Sequence, residues 1–300
     1  MKHLSTVPDS STIAVLGSEG SFSHNAGTLI CGDRKDLSMV SYDSMRDVRR
    51  STESGQYGLL PRINYSSGPE QDNATALIRK PWRIRAQVLL QVQMCIGGHG
   101  NDPLWNSVKN VHSKDVGIRQ CLDSLEQYCP DAQWHEEKST VEGAKIAAST
   151  GDISHIAIAS RNALEKAGLT IWLENASNAE RNGQKNVTDF MLVSTEQPDE
   201  PLLDPDMKYH GLVLTPENRS GVMKDVDSIL YDYGMDKESQ PEHPYGMGLY
   251  RFLILFQKIN ENSDINGMLQ ELQKLTPANG TYPLIKSLGS WNDRIMDPNL

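Results

Sequence analysis

The chain has 300 residues, 38% of them apolar and 23% charged, with a formal net charge of −10. That composition fits a soluble globular protein of about two domains, and the acidic balance argues against a nucleic-acid or anionic-membrane binder. The short basic run from Arg79 to Arg85 is broken by Pro81 and Trp82 and reads as a solvated start to a strand. No apolar stretch reaches bilayer length, and no signal-peptide pattern follows Met1. Cys31, Cys95, Cys121 and Cys129 lack CxxC pairing and zinc-type histidine spacing. The expectation is a cytoplasmic protein with reduced, mostly buried thiols and no metal.

Ile13 to Gly17 is a short apolar run closed by glycine, which predicts a buried parallel strand. Ser18 to Ser21 form a turn, and Phe22 to Ile30 follow as a helix. Tyr57 to Pro61 predict a strand running into a loop at Asn64 to Gly68. Val88 to Ile96 predict one strand, stopped at Gly97, and Val108 to His112 another. Gly117 to Tyr128 space Ile118, Cys121, Leu122 and Leu125 at helical intervals ahead of Pro130. Val141 to Ala148 predict a helix, Ile153 to Ala159 a strand, Arg161 to Ala167 a helix closed by Gly168, and Phe190 to Ser194 a strand. Alternating strands and helices predict an open, doubly wound α/β sheet with ligands at the loops beyond the strands' carboxyl ends. That rule selects Gly20-Ser21, Asn64 to Gly68, Ser139-Thr140 and Asn186 to Phe190 as site loops.

Residues 197 to 207 are rich in Pro and Asp and read as a linker. Tyr209 to Leu214 then predict a strand and Pro216 to Gly221 a turn. Val222 to Tyr233 predict an amphipathic helix with Val222, Val226, Ile229 and Leu230 on one face. Tyr250 to Gln257 predict a strand and Ile265 to Leu275 a second helix. The order matches a ferredoxin-like βαββαβ unit. The expected boundaries are an N-terminal tail at 1–10, a two-lobed α/β domain at 11–195, a linker at 196–207 and the second domain at 208–294. His99, His112 and His135 have no metal spacing and read as surface or satisfied histidines.

Several segments resemble one family's motifs in order. Gly17-Ser18-Glu19-Gly20-Ser21-Phe22-Ser23 resembles Gly-Pro-x-Gly-Thr-Phe-Ser. Ser139-Thr140 opens an alanine-containing helix. Ala157 to Ser160 and then Gly168-Leu169 fit a late strand and helix, and Asn186-Val187-Thr188-Asp189-Phe190 resembles Asn-x-Thr-Arg-Phe. Glu238-Ser239-Gln240-Pro241 is similar to Glu-Ser-Arg-Pro, and Leu288-Gly289-Ser290-Trp291 to Leu-Gly-Ser-Tyr. These are the motifs of the prephenate dehydratase family, a lyase domain followed by an ACT regulatory domain. The resemblance implies a periplasmic-binding-protein-like domain whose lobes close on a ligand, without metal or organic cofactor. It implies a homodimer or larger homo-oligomer of ACT units and an amino-acid effector held at Gly221, Val222, Glu238 and Ser239. A glycine loop with free N–H groups at a helix N-terminus suits a carboxylate.

Carried over residue by residue, the resemblance makes Thr188, Asn64 and Lys114 the catalytic candidates. Ser21, Phe22, Ser23, Tyr65, Ser139, Thr140, Asp189 and Phe190 become the substrate-binding candidates. The sequence also departs from the family. Its Pro-Ile-Glu-Asn-Ser appears as Pro61-Arg62-Ile63-Asn64-Tyr65, its Ser-His as Ser113-Lys114, and its Thr-Arg as Thr188-Asp189. An arginine fork suits carboxylate recognition, and losing such a bond costs about 1.5–3 kcal/mol before any repulsion from the new aspartate. Lys114 would supply a substitute charge. The expectation is a lyase with rewritten anion contacts, dehydrating or decarboxylating another small carboxylic acid in specialised metabolism. The alternatives are a true prephenate dehydratase of phenylalanine biosynthesis and a non-catalytic small-molecule-binding regulator.

Overall fold

The computed structural model describes residues 7–239, 242–246, 249–277 and 284–300, so Gln240 and Pro241 of the Glu-Ser-x-Pro segment lie outside the described residues. The first stretch contains β1 (Thr12–Leu16), α1 (Phe22–Cys31), β2 (Ser38–Tyr42), α2 (Met45–Glu53), β3 (Tyr57–Asn64), β4 (Gly68–Pro69), α3 (Gln71–Arg79) and β5 (Trp82–Gln91). The second contains β6 (Cys95–Gly98), β7 (Asn110–Ser113), α4 (Asp115–Gln120), α5 (Leu122–Tyr128), β8 (Gln133–Glu136), α6 (Thr140–Thr150), β9 (His155–Ala159), α7 (Arg161–Ala167), β10 (Thr170–Leu173) and α8 (Asn178–Arg181). After β11 (Val187–Thr195) come β12 (Tyr209–Leu214), α9 (Val222–Asp232), β13 (Met235–Ser239), β14 (Glu242–Gly246), β15 (Leu249–Lys258), α10 (Ile265–Lys274), β16 (Ile285–Trp291) and β17 (Arg294–Met296).

Two sheets make two lobes. The first has the order β17-β5-β11-β3-β1-β2 with β4 beside β3, and the second β10-β6-β9-β7-β8. Both are mixed: β1, β2 and β3 run parallel, while β11 is antiparallel to β3 and β5. The fold is the expected two-lobed α/β architecture, but the run from Val88 to Ile96 is not one strand. β5 ends in the first sheet at Gln91 and β6 starts in the second at Cys95, so residues 92–94 carry the chain between lobes. It returns just before β11. The two passes are tied by backbone bonds from Val92 N–H to Asn186 O (2.7 Å) and from Ala176 N–H to Met94 O (2.8 Å). The helix expected over Gly117 to Tyr128 is likewise two, broken at Cys121, whose φ/ψ of −116°/18° leaves the α region.

The helix ends follow ordinary capping chemistry. Ser21, Ser139 and Ser160 accept from backbone N–H groups of the first turns of α1, α6 and α7, and Gly151 and Gly168 close α6 and α7 in the left-handed conformation. The third sheet, β13-β15-β12-β16 with β14 beside β15, is antiparallel throughout and places β12 and β15 centrally; β14 is an extra strand beyond the expected βαββαβ order. One face packs under α9 and α10 through Leu212, Leu214, Phe252, Ile254, Phe256, Val226 and Met268. The other face joins the first lobe's core: Val213, Leu253, Leu255, Leu288 and Trp291 cluster with Leu60, Leu77, Trp82, Ile84 and Met191. Gly289 permits this approach. Its φ is +99°, and a Cβ there would stand 3.0 Å from the Ile84 carbonyl.

Candidate active site

β3 and β11 pair with Asn64 opposite Thr188, and both side chains are buried. The Asn64 amide is oriented by chemistry. Its Oδ1 accepts from the backbone N–H groups of Ser66 (3.0 Å) and Ser67 (2.9 Å), which can only donate. Its Nδ2 therefore faces Thr188 Oγ1 (2.9 Å) and Asn186 Oδ1 (2.8 Å). Because Thr188 receives that bond, its own hydroxyl hydrogen is available to the cleft. Gln120 completes the frame, donating to Asn64 Oδ1 (3.5 Å) and accepting from Asn186 Nδ2 (3.4 Å).

Thr188 and Asn64 line a cleft of roughly 750 Å³ between the lobes, together with Ser21, Phe22, Ser23, Lys114, Ser139, Thr140 and Phe190. Nine of the eleven expected site residues thus line one cavity; Gly17, Pro61, Met94, Lys138 and Lys145 also face it. Helix α1 from one lobe and α6 from the other bring their N-termini to this cavity. Their free N–H groups and positive dipole ends suit a dianion held between lobes. Lys114, Lys138 and Lys145 add positive charge, while Asp43, Glu70, Glu137 and Glu142 make the walls mixed rather than uniformly basic. Ser21 is already committed: its hydroxyl donates to Leu16 O (3.1 Å) and accepts from His24 N–H (3.3 Å), so it serves the cavity through the helix it caps.

Two expected contacts are corrected. Asp189 does not face the cleft. Successive side chains of a strand point to opposite faces, so beside the inward Thr188 it turns to the back of the sheet. It is fully buried there, accepting from Arg62 Nε (3.1 Å) and Nη2 (2.5 Å) and from Gln87 Nε2 (3.2 Å). Burial pushes the Asp189 carboxyl up from its ordinary value, and the adjacent Arg62 guanidinium opposes that rise. Gln87 also reaches Glu238 Oε2 (3.4 Å), whose other oxygen takes a bond from Arg294. Tyr65, the second correction, is 56% exposed and lines a neighbouring polar cavity of about 660 Å³ on the far side of Gln120. It turns outward because it follows the last residue of β3.

Sequence reasoning missed Gln120, Glu137, Lys138 and Lys145. Asn186 carried a signal as the first residue of the Asn-x-Thr-Arg-Phe-like segment, whereas Gln120 lies on the helix after Ser113-Lys114 and the others lie just outside any motif. In the C-terminal unit, Gly221 sits at φ +82° ahead of α9 with Val222 opening the helix, while the Glu238 carboxylate is directed at Gln87 and Arg294. Burial raises the thiol of Cys95 to about 11 and that of Cys129 to about 11, values unsuited to a thiolate nucleophile.

The prephenate dehydratase family profile matches residues 13–198. The chain belongs to the prephenate dehydratase family. It is 24% identical over 294 residues to the bifunctional chorismate mutase/prephenate dehydratase of Escherichia coli K12, covering 94% of this chain and 73% of that protein. The protein of the same description from Aquifex aeolicus is 23% identical over 289 residues, with 93% and 73% covered. Among solved structures, prephenate dehydratase from Arthrobacter aurescens in complex with L-Phe superposes with a TM-score of 0.73 at 19% identity, covering 94% of this chain and 89% of that one. The Staphylococcus aureus Mu50 enzyme gives 0.71 at 18% identity, covering 94% and 100%. GqqA, described as a novel type of quorum quenching acylases, gives 0.72 at 19%, covering 96% and 99%. Such likeness establishes the shared fold, and one fold carrying differently described activities leaves the reaction to the site itself.

Proposed function

We propose that this chain is a lyase that removes hydroxide and carbon dioxide together from a small ring-bearing dicarboxylate, with prephenate the first substrate to test. The observation that carries the reading is the Asn64–Thr188 pair, which presents a hydroxyl hydrogen to a cleft flanked by two helix N-termini and three lysines. Loss of a ring hydroxyl and a carboxylate is driven by aromatisation. The protein has to hold two negative charges and hydrogen-bond the departing oxygen. The helix ends and lysines serve the first need and Thr188 the second. With Asp189 on the other face of the sheet, the chief reason for expecting rewritten anion contacts falls away. Lys114 in place of the family's histidine is a change of charge that remains inside the cleft, and it favours testing close carboxylate analogues alongside prephenate.

We further propose that residues 11–195 form the lyase domain and 208–294 an ACT domain, in a cytoplasmic homo-oligomer whose Gly221 turn takes an amino-acid effector. A relative's structure holds L-Phe. Weak stabilisation by phenylalanine, lost on Gly221→Asp, is the expected response. The function is tested by incubating pure protein with prephenate and following phenylpyruvate absorbance. Turnover abolished by Thr188→Val supports the lyase. Tight substrate binding without turnover favours a sensor instead.

A further inference from the structure

Loss of hydroxide and carbon dioxide from a dicarboxylate consumes one proton per turnover. The C–O bond breaks with its electron pair on oxygen, the C–C pair of the departing carboxylate enters the ring, and the oxygen leaves as water only after taking a proton. Thr188 can hydrogen-bond that oxygen, but a neutral alkyl hydroxyl is too weak an acid to supply the proton. The cleft wall holds a group that can.

Glu137 lines the same cavity as Thr188, with its side chain 18% exposed. One of its oxygens, Oε1, lies 3.0 Å from Nδ1 of the buried His112. His112 Nε2 lies 2.9 Å from His155 Nδ1. His155 Nε2 lies 3.2 Å from Asn110 Nδ2, and Asn110 Oδ1 lies 2.8 Å from His135 Nε2. The rings stack, with centroids 4.7 Å apart for His112–His135 and 5.2 Å for His112–His155. A carboxylate only accepts, so His112 carries its hydrogen on Nδ1 and accepts at Nε2. His155 then carries its hydrogen on Nδ1 and accepts at Nε2 from the Asn110 amide, whose oxygen accepts from His135. Every link is satisfied in one direction, and that direction ends on the carboxylate in the cleft. Among the described residues no such cluster is arranged to hold a metal ion.

We propose that Glu137 is the acid that protonates the departing hydroxyl, and that His155 and His112 return a proton to it from solvent. This rests on the lyase reading above. When the Asn110 amide swings away from Nε2 of the partly exposed His155, a solvent proton captured at that nitrogen shifts one hydrogen along each short bond, from His155 Nδ1 to His112 Nε2 and from His112 Nδ1 to Glu137 Oε1. The resulting carboxylic acid gives its proton to the leaving oxygen and the carboxylate is restored. Once product has left and water enters the cleft, a solvent proton taken up at Glu137 runs back along the same bonds and leaves at His155 Nε2, which returns both rings to their resting tautomers. Burial and then the neighbouring His112 pull His155 below the ordinary histidine value, with Asp152 opposing and His135 and His99 adding to the effect. That favours the neutral form of His155 at rest. The charged neighbours of Glu137 along the cleft are Lys114, Lys138, Glu142 and Lys145.

The test compares purified full-length variants on whichever cyclic dicarboxylate the wild type turns over. Glu137→Gln is expected to lower kcat on the order of a hundredfold with KM little changed, and Glu137→Asp to recover much of it. His112→Gln keeps a hydrogen bond but cannot relay. It is expected to lower kcat most at high pH, to move the basic limb of the pH profile downward and to enlarge the solvent deuterium isotope effect. If Glu137→Gln keeps kcat within about twofold of wild type while Thr188→Val is dead, the relay is wrong and the lyase reading stands. If the wild type turns over no such substrate, both fall. A readout free of turnover is long-range 1H–15N correlation of the imidazoles at neutral pH: His112 bearing its hydrogen on Nδ1 is expected, and hydrogen on Nε2 overturns the relay.

Discussion

Replacing Asp189 by arginine restores the family's residue and separates the two readings of this position. Were residue 189 a cleft contact, Asp189→Arg would rebuild a carboxylate clamp and improve turnover. In the structure it instead places a second guanidinium against Arg62 in a site where the Arg62 side chain is 3% and that of Asp189 0% exposed. Removing one partner of a buried pair costs about 3–5 kcal/mol because the other charge is left uncompensated, and a like charge in its place adds to that. Against a total stability of roughly 5–15 kcal/mol, this is a melting-temperature fall on the order of 10 °C. Reversing the pair with Arg62→Glu in the same chain should regain a substantial part, a coupling of about 0.5–3 kcal/mol in a double-mutant cycle. Thermal unfolding and denaturant titration of the four proteins measure it. Wild-type stability in Asp189→Arg together with a lowered KM for a dicarboxylate would refute the placement of this side chain.

Three further outcomes follow from particular contacts. Thr188→Val removes the hydroxyl presented to the cleft while keeping the strand's shape; on the proposed lyase reading kcat should fall by about 10²–10³-fold with little change in melting temperature. Gly143→Ala builds a Cβ 2.8 Å from the His112 carbonyl oxygen, so α6 must move off β7. A cost of about 1–3 kcal/mol and a raised KM are expected, the latter because the same helix presents Ser139 and Thr140 to the cleft. His210 is buried in the C-terminal unit beside Phe256, and burial pulls it from 6.5 to about 4. Its native form is neutral, so its stabilising share is whole above pH 6.5 and is lost as pH falls from 6.5 to 4. That loss is roughly 3 kcal/mol by linkage, seen as an acid-side slope in unfolding free energy that His210→Gln flattens.

Much of the fold could be read along the chain because periodicity and caps survive in it. β12 coincides with the strand expected over Tyr209 to Leu214, an apolar run that is buried throughout, and α7 with the helix expected over Arg161 to Ala167, which Ser160 and Gly168 cap. α2 was invisible: Met45 to Glu53 is almost wholly polar, and its buried face consists of Val48, Ser51 and Thr52, the last hydrogen-bonded to its own helix. The break between β5 and β6 was hidden for the opposite reason. Val88 to Ile96 is apolar apart from Gln91 and Gln93, and the crossing residues Val92 and Met94 are buried like the strand residues on either side, so no glycine or proline marks where the chain leaves one sheet for the other.

The site divides along the same line. Loop residues announced by small polar motifs do converge, because glycine turns and helix caps fix backbone locally. What the sequence could not convey was side-chain direction in β11. Thr188 and Asp189 are neighbours in the motif but opposite in space, and a bulge between Asp189 and Phe190 sets both Arg62 and Ile63 against that stretch of the strand. The departures at 62, 63 and 189 are therefore linked: they exchange the chemistry of one buried position behind the sheet, where Arg62, Asp189 and Gln87 meet Glu238 and Arg294. Glu238 belongs to the motif of the C-terminal unit and Arg294 to the strand that unit adds to the first sheet. Divergence concentrated there bears on how the C-terminal unit grips β11, and the lining of the cleft by Thr188, Asn64 and the groups around them is left apart from it.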